Sequence, residues 1–115
     1  MRCEKQNQIE LMYMTAPTNK EAQAIAHALV ASKLAACVNI FRGVESFYNW
    51  DGEVQAEKEC VILVKTGMGL SEKITEFVKK EHSYECPCVV VLHPASGNEE
   101  FFKWILKNTK DTEVI

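Results

Sequence analysis

The stretch Val44-Glu-Ser-Phe-Tyr-Asn-Trp-Asp-Gly-Glu53 decides the fold. Alternate residues of a strand face opposite sides, so Val44, Ser46, Tyr48 and Trp50 share one face and Glu45, Phe47 and Asn49 the other. Asp51-Gly52 reads as a two-residue hairpin turn, with glycine supplying the positive φ of a type I′ turn. With the register set there, Trp50 pairs with Glu53 and Glu45 lies opposite Lys58, a charge pair worth about 0.2–1 kcal/mol. The period of two extends from Ala35 to Thr66, and Gly43 after Arg42 marks a bulge that bends the ribbon. Its distal half carries Phe47, Tyr48 and Trp50, too much apolar surface to stand alone in water, so a partner is expected to cover it.

Upstream, Ile9 to Thr15 reads as a central strand that Pro17 stops, because proline cannot donate to a ladder. Thr18-Asn-Lys-Glu21 has the form of a reciprocal capping box. The helix it opens places Ala22, Ile25, Ala26, Leu29 and Val30 on one stripe, with Lys33 suiting its C-terminal end. Downstream, Cys60 to Val64 is continuously apolar, and residues 67–69 break the strand. A second helix is expected from Leu70 to Glu81, with Leu70, Ile74, Phe77 and Val78 inward. Val89 to Leu92 reads as a buried strand, and Asn98 caps a third helix with Glu99 and Glu100 at its positive end. Residues 1–8 read as a flexible arm, residues 9–115 as one domain, and the last five as an edge strand or tail.

The order is β-α-β-β-α-β plus a terminal helix, an α+β ferredoxin-like arrangement with a long β2-β3 hairpin. Helices cover one face of its antiparallel sheet, and a symmetric partner suits the other. The 115 residues fit one core. The 13 basic residues are interleaved with 16 acidic ones. Nucleic acid is therefore disfavoured, since tracking phosphates needs clustered positive charge. No apolar run reaches a membrane-spanning length. Five cysteines at irregular spacing suit reduced thiols in the cytoplasm better than a secreted disulfide framework.

The chain carries, in order, Thr15-Ala-Pro17, Leu34-Ala-Ala-Cys37-Val-Asn39-Ile40, Tyr48-x-Trp50-x-Gly52, Glu59, Lys65-Thr66 and His82-x-Tyr84-Glu85-x-Pro87, followed by a phenylalanine-rich helix reaching Trp104. Together these fragments resemble the CutA divalent-cation tolerance family. The resemblance implies a homotrimer of PII-like architecture, a link to copper and other divalent ions, and no settled catalysis. Some bacterial members carry a cysteine before Thr-Ala-Pro and a histidine pair before the tyrosine segment. This chain has Met14 and Glu81-His82 there, which weakens the copper set.

The candidate metal ligands are Cys37, His82 and Glu85. Thiolate suits Cu(I) or zinc, and imidazole with carboxylate suits a borderline divalent ion. Against this, a free cysteine is more often a buried small thiol, and a lone histidine more often bonds a backbone carbonyl. Cys37 and Asn39 share a face by the period of two. Tyr48, Trp50, Glu59 and Lys65 are candidates for a cleft between subunits, although a Glu59–Lys65 pair is more readily a contact that simply holds the trimer together. Tyr84 with Glu85 and Lys65 is the candidate ligand pocket. The thiols of Cys86-Pro87-Cys88 point one way and either pack in a core, the commoner fate, or bind Cu(I). His27 and His93 carry no assigned role.

Three functions compete: a trimeric metal-binding or metal-responsive protein, a PII-like sensor or scaffold holding a small molecule between subunits, and an acylphosphatase-like enzyme. The enzyme reading fares worst, because the loop after the first strand has neither the glycine nor the arginine that cradles a phosphate.

Overall fold

A computed structural model describes residues 8–110. The expected arm, apart from Gln8, and the expected tail of residues 111–115 lie outside the described residues. The elements run β1 (Ile9–Ala16), α1 (Asn19–Ala31), β2 (Cys37–Trp50), β3 (Glu53–Gly67), α2 (Ser71–Glu81), β4 (Val89–Leu92) and α3 (Glu99–Lys107). The strands form one antiparallel sheet in the order β2-β3-β1-β4.

The hairpin follows its sequence. Asp51 and Gly52 have φ of 52° and 80°, the two left-handed positions of a type I′ turn. Trp50 pairs with Glu53 and Glu45 with Lys58, and the register slips between Phe41 and Val44, where Gly43 has φ 65°. Long strands joined by a tight turn carry the ribbon past Cys60, where β1 stops pairing with β3, and its large apolar side chains stay exposed. Phe47 is 68% exposed, Trp50 66% and Val54 74%.

Pairing across four strands sorts the side chains into rows. Val38, Val64, Met12 and Val91 form one row, and Ile40, Ile62, Met14 and Val89 the next. These point to α1 and α2, whose Ala22, Ile25, Leu29, Ile74 and Val78 close the core over them. The opposite face has the rows Cys37–Lys65–Leu11–Leu92 and Asn39–Leu63–Tyr13–Val90. Here Tyr13, Phe41, Val90 and Leu92 remain exposed.

Five local expectations are corrected. The third helix does not join the other two. A side chain at Gly67 would meet Leu106 and Thr109 of the α3 segment, and Lys65 Nζ sits 5.8 Å from the Phe101 ring centre, so α3 covers one end of the second face. The strand β4 is not buried, because it lies at the sheet edge and alternates between half-buried and exposed. Thr18 caps α1 by accepting the Glu21 N–H at 3.1 Å, but the Glu21 carboxylate turns away to accept from Ser83 N–H and Oγ–H at 2.9 and 2.8 Å. Lys33 lies beyond the helix end in the left-handed region, φ 68°, and its carbonyl accepts the Lys110 N–H at 2.8 Å. Val30, expected on the α1 stripe, is exposed, and Ala26 is half-buried, because the contact face is only as wide as Ala22, Ile25 and Leu29.

Candidate functional site: an acidic aromatic cleft

The hairpin register builds one wall of a cleft of about 790 Å³. Tyr48 pairs with Gln55 and Ser46 with Glu57, while Trp50 follows on the same side and Glu59 stands opposite Val44 across the bulge. The segment before β4 supplies the other wall with Tyr84, Glu85, Cys86 and Cys88, and Thr15 at the end of β1 completes the lining. Glu59 ties the walls together. One carboxylate oxygen accepts from Ser46 Oγ–H and the other from the Tyr84 hydroxyl at 3.2 Å.

His82 supports this arrangement from beneath. It is 8% exposed, at the end of α2. Its Nδ1 accepts the Tyr84 N–H at 2.9 Å, which leaves Nε2 to donate to the Thr15 carbonyl at 2.7 Å. Both ring nitrogens are thus engaged, and the Tyr84 ring lies 4.7 Å from the imidazole. The side chain anchors the cleft's second wall to β1.

The electrostatics of the cleft are one-sided. Glu57, Glu59 and Glu85 line it, and none of the lining residues among those described is Lys, Arg or His. The Tyr84 phenol is pushed up to about 12, first by desolvation and then by the charge and hydrogen bond of Glu59, with Glu57 and Glu21 adding smaller effects. Tyr48 is also raised, by desolvation first and then by a hydrogen bond to Glu57 and the charges of Glu57 and Glu59. Carboxylates disfavour a tyrosinate and favour a cation.

The expected site residues are divided by this geometry. Tyr48, Trp50, Glu59, Tyr84 and Glu85 come together in the cleft. Lys65 does not join them: its Nζ donates toward Cys37 Sγ at 3.8 Å and leans over Phe101 on the second face of the sheet. Asn39 lies on that face one row further along. Cys37 is half-buried there, and the structure does not bring it together with His82 and Glu85. No group of three or more His, Cys, Asp or Glu side chains able to hold a metal ion occurs among the described residues. Cys86 and Cys88, expected in a core, are exposed, because they precede the first paired residue of an edge strand.

Ser46, Gln55 and Glu57 join the cleft beyond the expected residues, and the register from Asp51-Gly52 places each on the Tyr48 face. His93, read as isolated, has its Nε2 2.8 Å from Glu10 Oε2, in a contact between residues 83 positions apart that local sequence gives no sign of.

Split βαβ topology with an overlong hairpin and an acidic cleft at its root defines a class of small α+β proteins. The chain belongs to the CutA1 divalent ion tolerance family, whose model matches residues 10–108. The divalent-cation tolerance protein CutA of Thermus thermophilus is 44% identical over 100 residues, covering 87% of this chain and 97% of its own. The chloroplastic CutA proteins of Arabidopsis thaliana and Oryza sativa are 37% and 36% identical, and the chain spans 56% and 58% of their length. Among solved structures, CutA1 from Oryza sativa superposes with a TM-score of 0.88 at 34% identity over 94% of this chain and 99% of that one. The Thermus thermophilus protein gives 0.85 at 43% identity, over 89% and 99%. One related structure is described as periplasmic, from Archaeoglobus fulgidus. No described helix is long and apolar enough to cross a membrane.

Proposed function

We propose that this chain, as one domain from residue 9 onward, acts as a cytoplasmic homotrimer that binds copper or other divalent ions and responds to them, and is not an enzyme. The observation that carries the ion-binding part is the cleft lining, with three carboxylates and, among the described residues, no basic side chain. A concave site of one sign concentrates counter-ions. Both oxygens of Glu59 are already occupied by Ser46 and Tyr84, whereas Glu57 shares a single hydrogen bond with Tyr48, so Glu57 and Glu85 are the more available acceptors. They gather cations without a preformed cage. Cys37 faces Lys65 and His82 is fully bonded, so neither is assigned as a primary ligand. The homotrimer is supported by the bare apolar face and ribbon, and by membership of a family whose resemblance implies that assembly.

Calorimetry with Cu(II) and Zn(II) tests the ion-binding part. Weak binding that Glu57→Gln abolishes, and that Cys37→Ala and His82→Ala leave in place, is the expected result. The absence of binding heat from the unaltered protein would remove the proposal.

A second reading is favoured by the walls themselves. Tyr48, Trp50 and Tyr84 line a volume within the usual range for small-molecule sites, about 300–1,000 Å³. A PII-like role, with a small molecule held between subunits, then follows. A thermal-shift screen of nucleotides and cationic metabolites in which nothing raises Tm would exclude it.

A further inference from the structure

We propose that Cys86 and Cys88 form a dithiolate site for a soft monovalent cation, Cu(I) or Ag(I) in class, at the edge of the acidic cleft. This deepens the ion-binding reading, since both thiols line the same cleft as the carboxylates. Free cysteine is among the most buried residue types, so two exposed thiols in tandem run against a packing role. Pro87 between them has a fixed φ and biases Cys86 toward extended backbone. The chain bends at Cys86, and both side chains line the one cleft. Ordering the pair around an ion therefore costs less entropy than ordering two thiols on a flexible loop.

The donor set selects the ion. Structural zinc takes four ligands and calcium six or more oxygens, and no described cluster supplies even three such side chains. A bare thiol pair fits a soft ion content with two donors, and sulfur ligands select Cu(I). Nearby Glu57, Glu59 and Glu85 draw the cation in. The ion arrives already monovalent, so no electron moves. Each S–H bond is replaced by a metal–sulfur bond, and the thiol protons pass to solvent.

The test is competition for Cu(I) between the reduced full-length chain and a chromophoric chelator under anaerobic conditions, repeated with Ag(I), which has no redox chemistry here. Cys86→Ser and Cys88→Ser should each weaken binding by about 100-fold or more, at least what losing a ligand's hydrogen-bonding partner costs. Cys37→Ser should change it less than about tenfold on the same scale. Proton release on titration should fall in both cleft variants. Serine at these exposed positions leaves the fold intact, which circular dichroism checks. Undiminished Cu(I) affinity in Cys86→Ser/Cys88→Ser, or an equal loss in Cys37→Ser, overturns the proposal. Calorimetry with Cu(II) on the same proteins separates the two readings. Divalent binding that survives while the Cu(I) competition fails sinks only the dithiol site. Cu(I) binding dependent on Cys86, with no divalent binding at all, sinks only the divalent reading.

Discussion

The two faces of this sheet are cut from the same strands, yet one is finished and the other is not. On the face beneath α1 and α2, Met12, Met14, Ile62 and Val64 have no exposed surface. On the reverse, Tyr13, Phe41, Val90 and Leu92 sit in water, and α3 covers only one end. The first face closes within one chain because two helices span it. The second has the alternation of a buried surface without, among the described residues, an element that buries all of it, and it continues into the ribbon face bearing Tyr48 and Trp50. A core that excludes water locally and an apolar sheet that does not are what the proposed homotrimer would complete with copies of the same chain.

The largest expected effect lies on the finished face. Ile62→Ala should lower subunit stability by about 2–5 kcal/mol in chemical denaturation, because it removes buried methyl groups and leaves a cavity. On the unfinished side the effect should shift from folding to association. Trp50→Ala should weaken assembly by about 2 kcal/mol or more, read as dissociation on dilution, while the denaturation slope of the isolated subunit stays unchanged. Smaller effects define the ribbon and its root. Gly52→Ala forces a side chain into φ 80° and should cost about 1–2 kcal/mol. Removing the cap oxygen with Thr18→Ala should cost about 1 kcal/mol.

The smallest effect is a pH dependence. The Tyr84 phenol is raised from 10.0 to about 12 in the folded protein, so the folded state holds its proton where the unfolded state has lost it. Its contribution to stability is fully present below pH 10.0 and is lost as pH rises through about 12. In Tyr84→Phe that part of the alkaline slope should disappear, as denaturation at a series of pH values would register.

Much of this comparison is legible in the sequence. Asp51-Gly52, the bulge at Gly43 and the alternation of Ser46, Tyr48 and Trp50 fix the ribbon through local rules, and the structure follows them residue by residue. Long-range placement is different. That α3 crosses to the second face, or that Glu21 abandons its own helix cap for Ser83, depends on what meets across the fold and leaves no periodic trace. The cleft is intermediate. Its Tyr48, Trp50, Glu59, Tyr84 and Glu85 carry recognisable spacing, and Glu57 follows once the register is known. Lys65 has the same period-two parity as Glu59, but six residues of strand carry it to the opposite end of the sheet, where Cys37 and Phe101 receive it. Periodicity assigns a face and is silent on position along it. Cys86 and Cys88 depart from the burial habit of their residue type, because they stand just before an edge strand.

Sedimentation equilibrium of the purified chain at micromolar concentration tests the incomplete face most directly. A single species of three times the 13.0 kDa chain mass, dissociating in Trp50→Ala, is the predicted result. A stable 13.0 kDa particle across the same concentrations would mean that the bare face and ribbon tolerate water, and would contradict the account.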